Sequence, residues 1–367
     1  MTRSKLRQRL LYLVVSLPVA AMSQNASRLA PIPRDPLELA SGQIQEADTK
    51  AQRDVALQLL TRARNSYALR NLRQPWDLKV HFTVNSLGAT NYDGDWDMED
   101  IFSPGQGLHW TAKSAAGFAI TGIFGLRDTY AEATSSVIPL RLQETRSMLY
   151  NPLPSVSYAG AGSIRTAAAR LRGSQVTCIL LSRSRDVSNS TARQWDESED
   201  CIDSQTGLLQ LHSETPGRYA LYDYSNAVQL GTHGLPGKVT VTEGGRAVST
   251  ISVTSLQPLS SADPELFIPT DAMKAAPAVA MTASTKIARI QAEGSSARGG
   301  TLHPVCIFGL VTPEGHLIEA HSLQPADPNS DAALKDAQTI DFSPSMRGAR
   351  TPQQHFVFVI EEFAAPQ

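Results

Sequence analysis

Between residues 75 and 85 the chain reads PWDLKVHFTVN, in which Trp76, Leu78, Val80, Phe82 and Val84 alternate strictly with Asp77, Lys79, His81 and Thr83. Successive side chains of a strand point to opposite faces, so this stretch predicts a strand with one apolar face and one polar face. A lone strand cannot keep such a face dry. The stretch therefore demands a sheet covered on one side, and antiparallel sheets are the usual setting for that asymmetry. The chain up to about residue 256 supplies the neighbours. Trp96 and Met98 alternate with Asp95, Asp97 and Glu99, and further strand-like runs surround Trp110, Phe118 with Ile120, 174–181, 207–212 and Tyr219, with Gly, Pro, Asn and Asp turns between them. The plainest hairpin pairs 238–242 with 247–256 across Gly244-Gly245. Residues 141–150 fit either a strand or a helix.

Ahead of the opening strand, Val55, Leu59, Ala63 and Tyr67 recur at helical spacing with Ala56 and Leu60 beside them, which predicts an amphipathic helix over about 46–71. Pro75 ends any continuation. A helix leading straight into a strand with a clean apolar face is expected to pack over that face. Trp76, Leu78, Val80, Phe82, Trp96 and Trp110 then have two readings: they fill a core beneath the helix, or they line a cavity for an apolar ligand. A cavity above roughly 300 Å³ favours the second reading and a filled core the first.

The first 23 residues carry Arg3, Lys5, Arg7 and Arg9 and no acid, then an apolar run over 10–22 ending in Ala21-Met22-Ser23. This is the pattern of a cleaved secretory signal peptide, with an uncleaved inner-membrane anchor as the alternative. Either way the remainder is exported. Without those residues the chain has 29 basic and 35 acidic side chains, the wrong sign for a nucleic-acid binder. Residues 24–45, with Pro31, Pro33 and Pro36, look like an extended tether. In an exported chain Cys178 and Cys201 are the expected disulfide, closing the polar loop 182–200, with two free thiols as the alternative. Cys306 lies in an apolar run and reads as a small buried hydrophobe.

The order of helix, PWDLKVHFTVN, glycine turn, DWDMEDIF, CIDSQTGLLQLHSE and YDYSNAVQLGTHGLPGKVTV resembles the bacterial periplasmic LolA/LolB-type lipoprotein-carrier fold over about 46–264. The resemblance implies an open half-barrel of antiparallel strands around an apolar cavity lidded by helices. Residues 265–300, rich in Ala, Pro, Ser, Thr and Gly, read as a linker. Beyond them, strands over 304–311 and 316–323 flank Pro313-Glu314-Gly315, a helix starts at Asn329 or Ser330, and a last strand spans 355–363. This β-β-α-β module, 301–367, resembles the C-terminal domain of TonB-family energy transducers through TPEGHLIEA, SDAALKDA, FSPSMRG and HFVFVIEEF. That resemblance implies a last strand, Phe356, Val357, Phe358, Val359 and Ile360, whose edge accepts a peptide from an envelope or outer-membrane partner by β-augmentation. The alternative is a buried central strand, since its apolar run is unbroken.

No G-x-S-x-G, HExxH or phosphate-cradling loop occurs, and no Cys/His zinc spacing. No cofactor, metal or catalytic residue is expected. His316 and His321 have opposite strand parity, which argues against a metal shared with His303. Asp95, Asp97, Glu99 and Asp100 form the densest acidic cluster, and a solvated strand face accounts for three of them. The expected fold class is mainly β with α, an α+β chain with a curved sheet or half-barrel, a covering helix and a small β-β-α-β domain. The expected function is a non-enzymatic periplasmic protein that docks a partner in envelope transport through its C-terminal module; the alternative is a carrier of lipid or lipoprotein acyl chains.

Overall fold

The computed structural model describes residues 36–37, 39, 43–87, 92–153, 162–182, 193–195, 197–275, 285–291, 302–343 and 353–364. Residues 1–23, read above as a signal peptide, lie outside the described residues. The first half of the chain forms β1 (Gln45–Glu46), α1 (Lys50–Ser66), β2 (Trp76–Val84), β3 (Gly94–Ser103), β4 (Gly107–Ser114), β5 (Ala119–Phe124), β6 (Thr129–Ala133), α2 (Leu140–Tyr150), β7 (Ser163–Leu171) and β8 (Ser174–Ser182). The second half forms β9 (Glu197–Asp203), β10 (Leu209–Thr215), β11 (Arg218–Asp223), β12 (Val228–Leu230), β13 (His233–Leu235), β14 (Lys238–Glu243), β15 (Arg246–Pro258), α3 (Asp271–Ala275), β16 (Thr285–Gln291), β17 (Leu302–Val311), β18 (Leu317–Ser322), α4 (Ser330–Ala337) and β19 (His355–Ala364).

Thirteen strands make one antiparallel sheet in the order β1-β7-β8-β9-β10-β11-β14-β15-β2-β3-β4-β5-β6. It is strongly curved and does not close, so the fold is the expected half-barrel. The opening strand lies in its interior, between β15 and β3. Residues Trp76 to Val84 pair in unbroken register with β3 and, across one bulge, with the thirteen-residue β15. The Gly244-Gly245 turn holds β14 to β15 with φ of 53° and 80°, the left-handed pair that a two-residue hairpin needs.

Helix α1 is set by its cap. Thr49 accepts from the Gln52 backbone while the Gln52 side chain reaches back to the Thr49 N–H, so the helix begins at Lys50, later than expected. Its buried face is Ala56, Leu60, Ala63 and Tyr67, whereas Val55, expected on that face, is 66% exposed. The apolar side of the sheet gathers these residues with Trp76, Leu78, Val80, Phe82, Trp96, Trp110 and Ile251 in one core. On the opposite side a smaller cluster joins Ala167, Leu171, Val176 and Leu211 to Leu37, Leu39 and Ile44, so the stretch read as a tether docks on the sheet where it is described. The Cys178–Cys201 disulfide lies in that cluster.

Two expectations need correction and one open reading is resolved. The acidic residues 197–200, read as the end of a loop, belong with Cys201 to a full strand, β9, between β8 and β10. It escapes a propensity reading because acids are depleted in strands; here Arg165 takes Glu197, Arg193 takes Glu199 and His212 takes Asp200. The ambiguous 141–150 is helix α2. The third concerns the small sheet, whose order is β16-β19-β17-β18. The hairpin and α4 fall where expected, but β19 is not an edge: it runs antiparallel to β17 and parallel to β16, a strand drawn from the presumed linker. Phe356, Val357, Phe358, Val359 and Ile360 are therefore paired on both sides and buried. An interior place suits a run with no polar alternation.

Candidate functional site: a trough filled by a polar helix

The concave face is built by strand parity. Trp76 and Leu78 on β2, Met98, Asp100 and Phe102 on β3, Leu108 and Trp110 on β4, and Ala220 and Tyr222 on β11 all point inward and are buried. Trp76 stacks on Phe102 with centroids 5.4 Å apart, and its indole donates to the Leu69 carbonyl at 3.1 Å. Trp110 stacks on Phe124 at 6.1 Å. Phe82 and Trp96 form a separate stack, centroids 5.4 Å apart, that continues to Phe118. The six residues expected to line a cavity thus share one face in two groups. None is more than 2% exposed, which leaves no solvent-sized space beside them.

The space is taken by α2. Every residue of this helix except Ser147 and Tyr150 is buried, including Arg141, Gln143, Glu144, Thr145 and Arg146. A helix buried all round is ordinarily apolar all round. Here only Leu140, Leu142, Met148 and Leu149 fit that rule. The two flanks are held by charge instead.

One flank meets β11 and β14. Arg141 donates to both oxygens of Glu243, at 2.7 and 3.0 Å, and to Glu144 at 3.1 Å. Arg218 pairs with Glu144 and Glu214 and reaches Glu243 at 3.0 Å. Burial opposes both guanidinium cations, but Glu243 and Glu144 beside Arg141, and Glu144 and Glu214 beside Arg218, outweigh it and hold both above the ordinary arginine value. Burial likewise opposes ionisation of Glu243; Arg141, His321 and Arg218 outweigh it and keep that carboxyl well below the usual range.

The other flank meets β3 and β4. Arg146 donates to Asp100 at 2.9 Å, lies against the Met98 sulfur at 3.2 Å, and stands 4.3 Å above the Trp110 ring. Tyr150 donates to the second oxygen of Asp100 and stacks on Trp76. Burial raises the Tyr150 phenol well above its ordinary value and Asp100 adds to the effect, so Tyr150 keeps its proton and its role as donor. Arg146 Nη2 and Trp110 Nε1 have no hydrogen-bond acceptor among the described residues.

The small sheet closes the N-terminal end of α2. Leu140 packs with Phe308, Leu310, Phe356 and Phe358, and its N–H donates to Gln354 at 3.0 Å. Arg218 lies 4.5 Å from the Phe308 ring and Arg141 5.2 Å from that of Phe356. From β18, Glu319 reaches Arg141 at 3.4 Å and His321 stands 3.3 Å from Glu243. Phe356, Phe358 and Ile360 thus face the half-barrel, and Val357 and Val359 face α4.

Asp95, Asp97 and Glu99 lie on the outer face with His81 and Lys79. Asp100 is the fourth acid and points inward. Its parity with Trp96 and Met98 is the sequence signal that marks it; nothing in the sequence marks its partners Arg146 and Tyr150. His303 pairs with Asp327 and His321 with Glu243. Cys178, Glu199 and Cys201 converge within metal-ligand reach, but the two sulfurs are bonded to each other and offer no thiolate. No helix among the described residues is long and apolar enough to cross a membrane.

No protein-family model matches this chain, and no curated protein matches it. Among solved structures it is similar to a putative outer membrane lipoprotein-sorting protein domain from Vibrio parahaemolyticus, with 9% identity over 58% of this chain and 96% of that one and a TM-score of 0.37. It is similar to a LolA superfamily protein from Nitrosomonas europaea, with 10% identity over 58% and 97% and a TM-score of 0.34. LprF from Mycobacterium bovis aligns at 10% identity over 57% and 97%, with a TM-score of 0.25.

Proposed function

We propose that this chain is an exported, non-enzymatic binding protein of the cell envelope whose half-barrel takes up the acyl chain of a lipid or lipoprotein when α2 leaves the trough. The observation that carries this reading is the make-up of the filler: a helix with charged flanks over an apolar floor of Trp76, Leu78 and Trp110, tied to the sheet by ion pairs at Asp100, Glu243 and Arg218. A filled trough alone is what a purely structural core predicts. The composition of the filler argues otherwise, because the ionised groups of α2 can exchange their buried partners for water on leaving, which apolar side chains cannot do. Arg141, Glu144 and Arg146 regain that hydration on leaving, whereas a Leu-rich helix would lose its burial. An acyl chain that replaces α2 gains about 0.8 kcal/mol per buried methylene. The disulfide and the basic-then-apolar N-terminus support an oxidising, exported setting such as the periplasm. Docking of a partner strand along β19 has no free edge to use.

The test is uptake of the neutral probe N-phenyl-1-naphthylamine by the full mature chain. Saturable fluorescence enhancement is expected, competed by hexadecanol, and Leu78→Arg should lose it while keeping its far-ultraviolet circular dichroism. A wild-type chain that shows no saturable uptake overturns the proposal.

A further inference from the structure

If α2 occupies the place of a ligand, its side chains report what the emptied trough is built to receive. Among the trough's ionised groups paired to α2, most keep a partner when the helix leaves. Glu243 retains Arg218 at 3.0 Å and His321 at 3.3 Å, and Arg218 retains Glu214. Two carboxylates lose theirs: Glu319 of the small sheet, paired with Arg141, and, inside the trough, Asp100. Both hydrogen-bond donors to Asp100, Arg146 and Tyr150, belong to α2, and Asp100 itself is 0% exposed on β3. Trp110 stands directly across from Asp100 in the β3–β4 register, its ring face turned to the guanidinium. A carboxylate beside an aromatic face, with the Met98 sulfur close by, is a cation site by its chemistry.

We propose that Asp100 and Trp110 form a cationic headgroup subsite, occupied in the closed protein by Arg146 and filled in the loaded protein by the amine, quaternary ammonium or guanidinium of an amphiphile. This rests on the trough being the ligand site, and it names the ligand class: a long apolar chain with a positive head. An unpaired carboxylate left against an acyl chain is strongly penalised, so the site discriminates against neutral and anionic heads as well as attracting cations. Among the described residues Arg70, whose guanidinium lies 5.0 Å from the Phe124 ring at the rim, and His109 on β4 also feel the Asp100 charge, but neither hydrogen-bonds to it.

Isothermal titration of the full mature chain with dodecylguanidinium, dodecyltrimethylammonium, dodecanol and dodecyl sulfate, each below its micelle concentration, tests the subsite. Both cationic amphiphiles should bind at least about tenfold tighter than dodecanol, since a desolvated cation–π contact and a charge-assisted hydrogen bond each reach that size. Asp100→Asn should erase the preference of both cationic amphiphiles over dodecanol. Should Asp100→Asn fail to fold, Trp110→Leu is the second variant and should reduce the preference severalfold. Equal binding of all four, or tighter binding of dodecyl sulfate, overturns the subsite and leaves the uptake reading standing; Arg70 swinging onto Asp100 would produce that result. Failure of every amphiphile, dodecanol included, overturns both.

Discussion

Asp100 and Glu99 are adjacent acids in one strand, yet Glu99 meets Lys79 at the surface and Asp100 holds a buried arginine. Strand parity alone separates them, and parity is visible in the sequence once the neighbouring tryptophan fixes which face is inside. What the sequence hides is the partner, because Arg146 lies 46 residues away on a segment with no clear period. Glu361 gives a second case. It follows the apolar run of β19, where an acid looks like a solubilising end, but it is 1% exposed against α4. Burial, with Asp336 facing it, pushes its carboxyl up to about 7. A carboxyl raised in the folded state contributes stability that is full below its unfolded value near 4.3 and is lost as pH rises through about 7. The chain should therefore lose stability between pH 5 and pH 8 as the Glu361–Asp336 pair gives up its proton. Glu361→Gln, which mimics the protonated form, should flatten that loss in urea-unfolding midpoints, and an unchanged pH slope would contradict the assignment.

At the scale of elements, legibility followed periodicity. The strand β2, the helix α1 and the β14–β15 hairpin carry strong local signals and stand close to where the sequence puts them. Three elements carry none. The strand β9 is acidic on both faces and depends on arginines from elsewhere. Helix α2 has no apolar stripe because its environment supplies countercharges rather than a dry surface. The strand β16 sits in a stretch whose Ala, Ser and Gly content looks like a spacer, and its pairing with β19 is parallel, which no short-range turn can announce. That last pairing changes an expected outcome. With β17 on one side and β16 on the other, the N–H of every interior β19 residue has a ladder partner to serve. Proline at either Val357 or Phe358 should therefore cost about 3 kcal/mol or more and visibly lower the thermal midpoint. A variant of the pair that melts like wild type would mean that β19 has an open side after all.

On the scale of the whole molecule, the two sheets meet at α2. The half-barrel supplies the trough, the helix fills it with charged flanks, and the small sheet seals its first turn through Leu140, Glu319 and Gln354. A half-barrel with one apolar side was readable from alternation; that its own chain occupies it was not, since the occupant is polar. The account stands or falls on whether α2 gives way to a ligand. Hydrogen exchange of the 140–150 amides, measured by mass spectrometry with and without saturating hexadecanol, reads this directly. Exchange across α2 is expected to rise at least about tenfold on loading while the amides of β2, β3 and β4 stay as protected as before. Saturable binding with α2 equally or better protected would place the ligand elsewhere and leave the helix as permanent core.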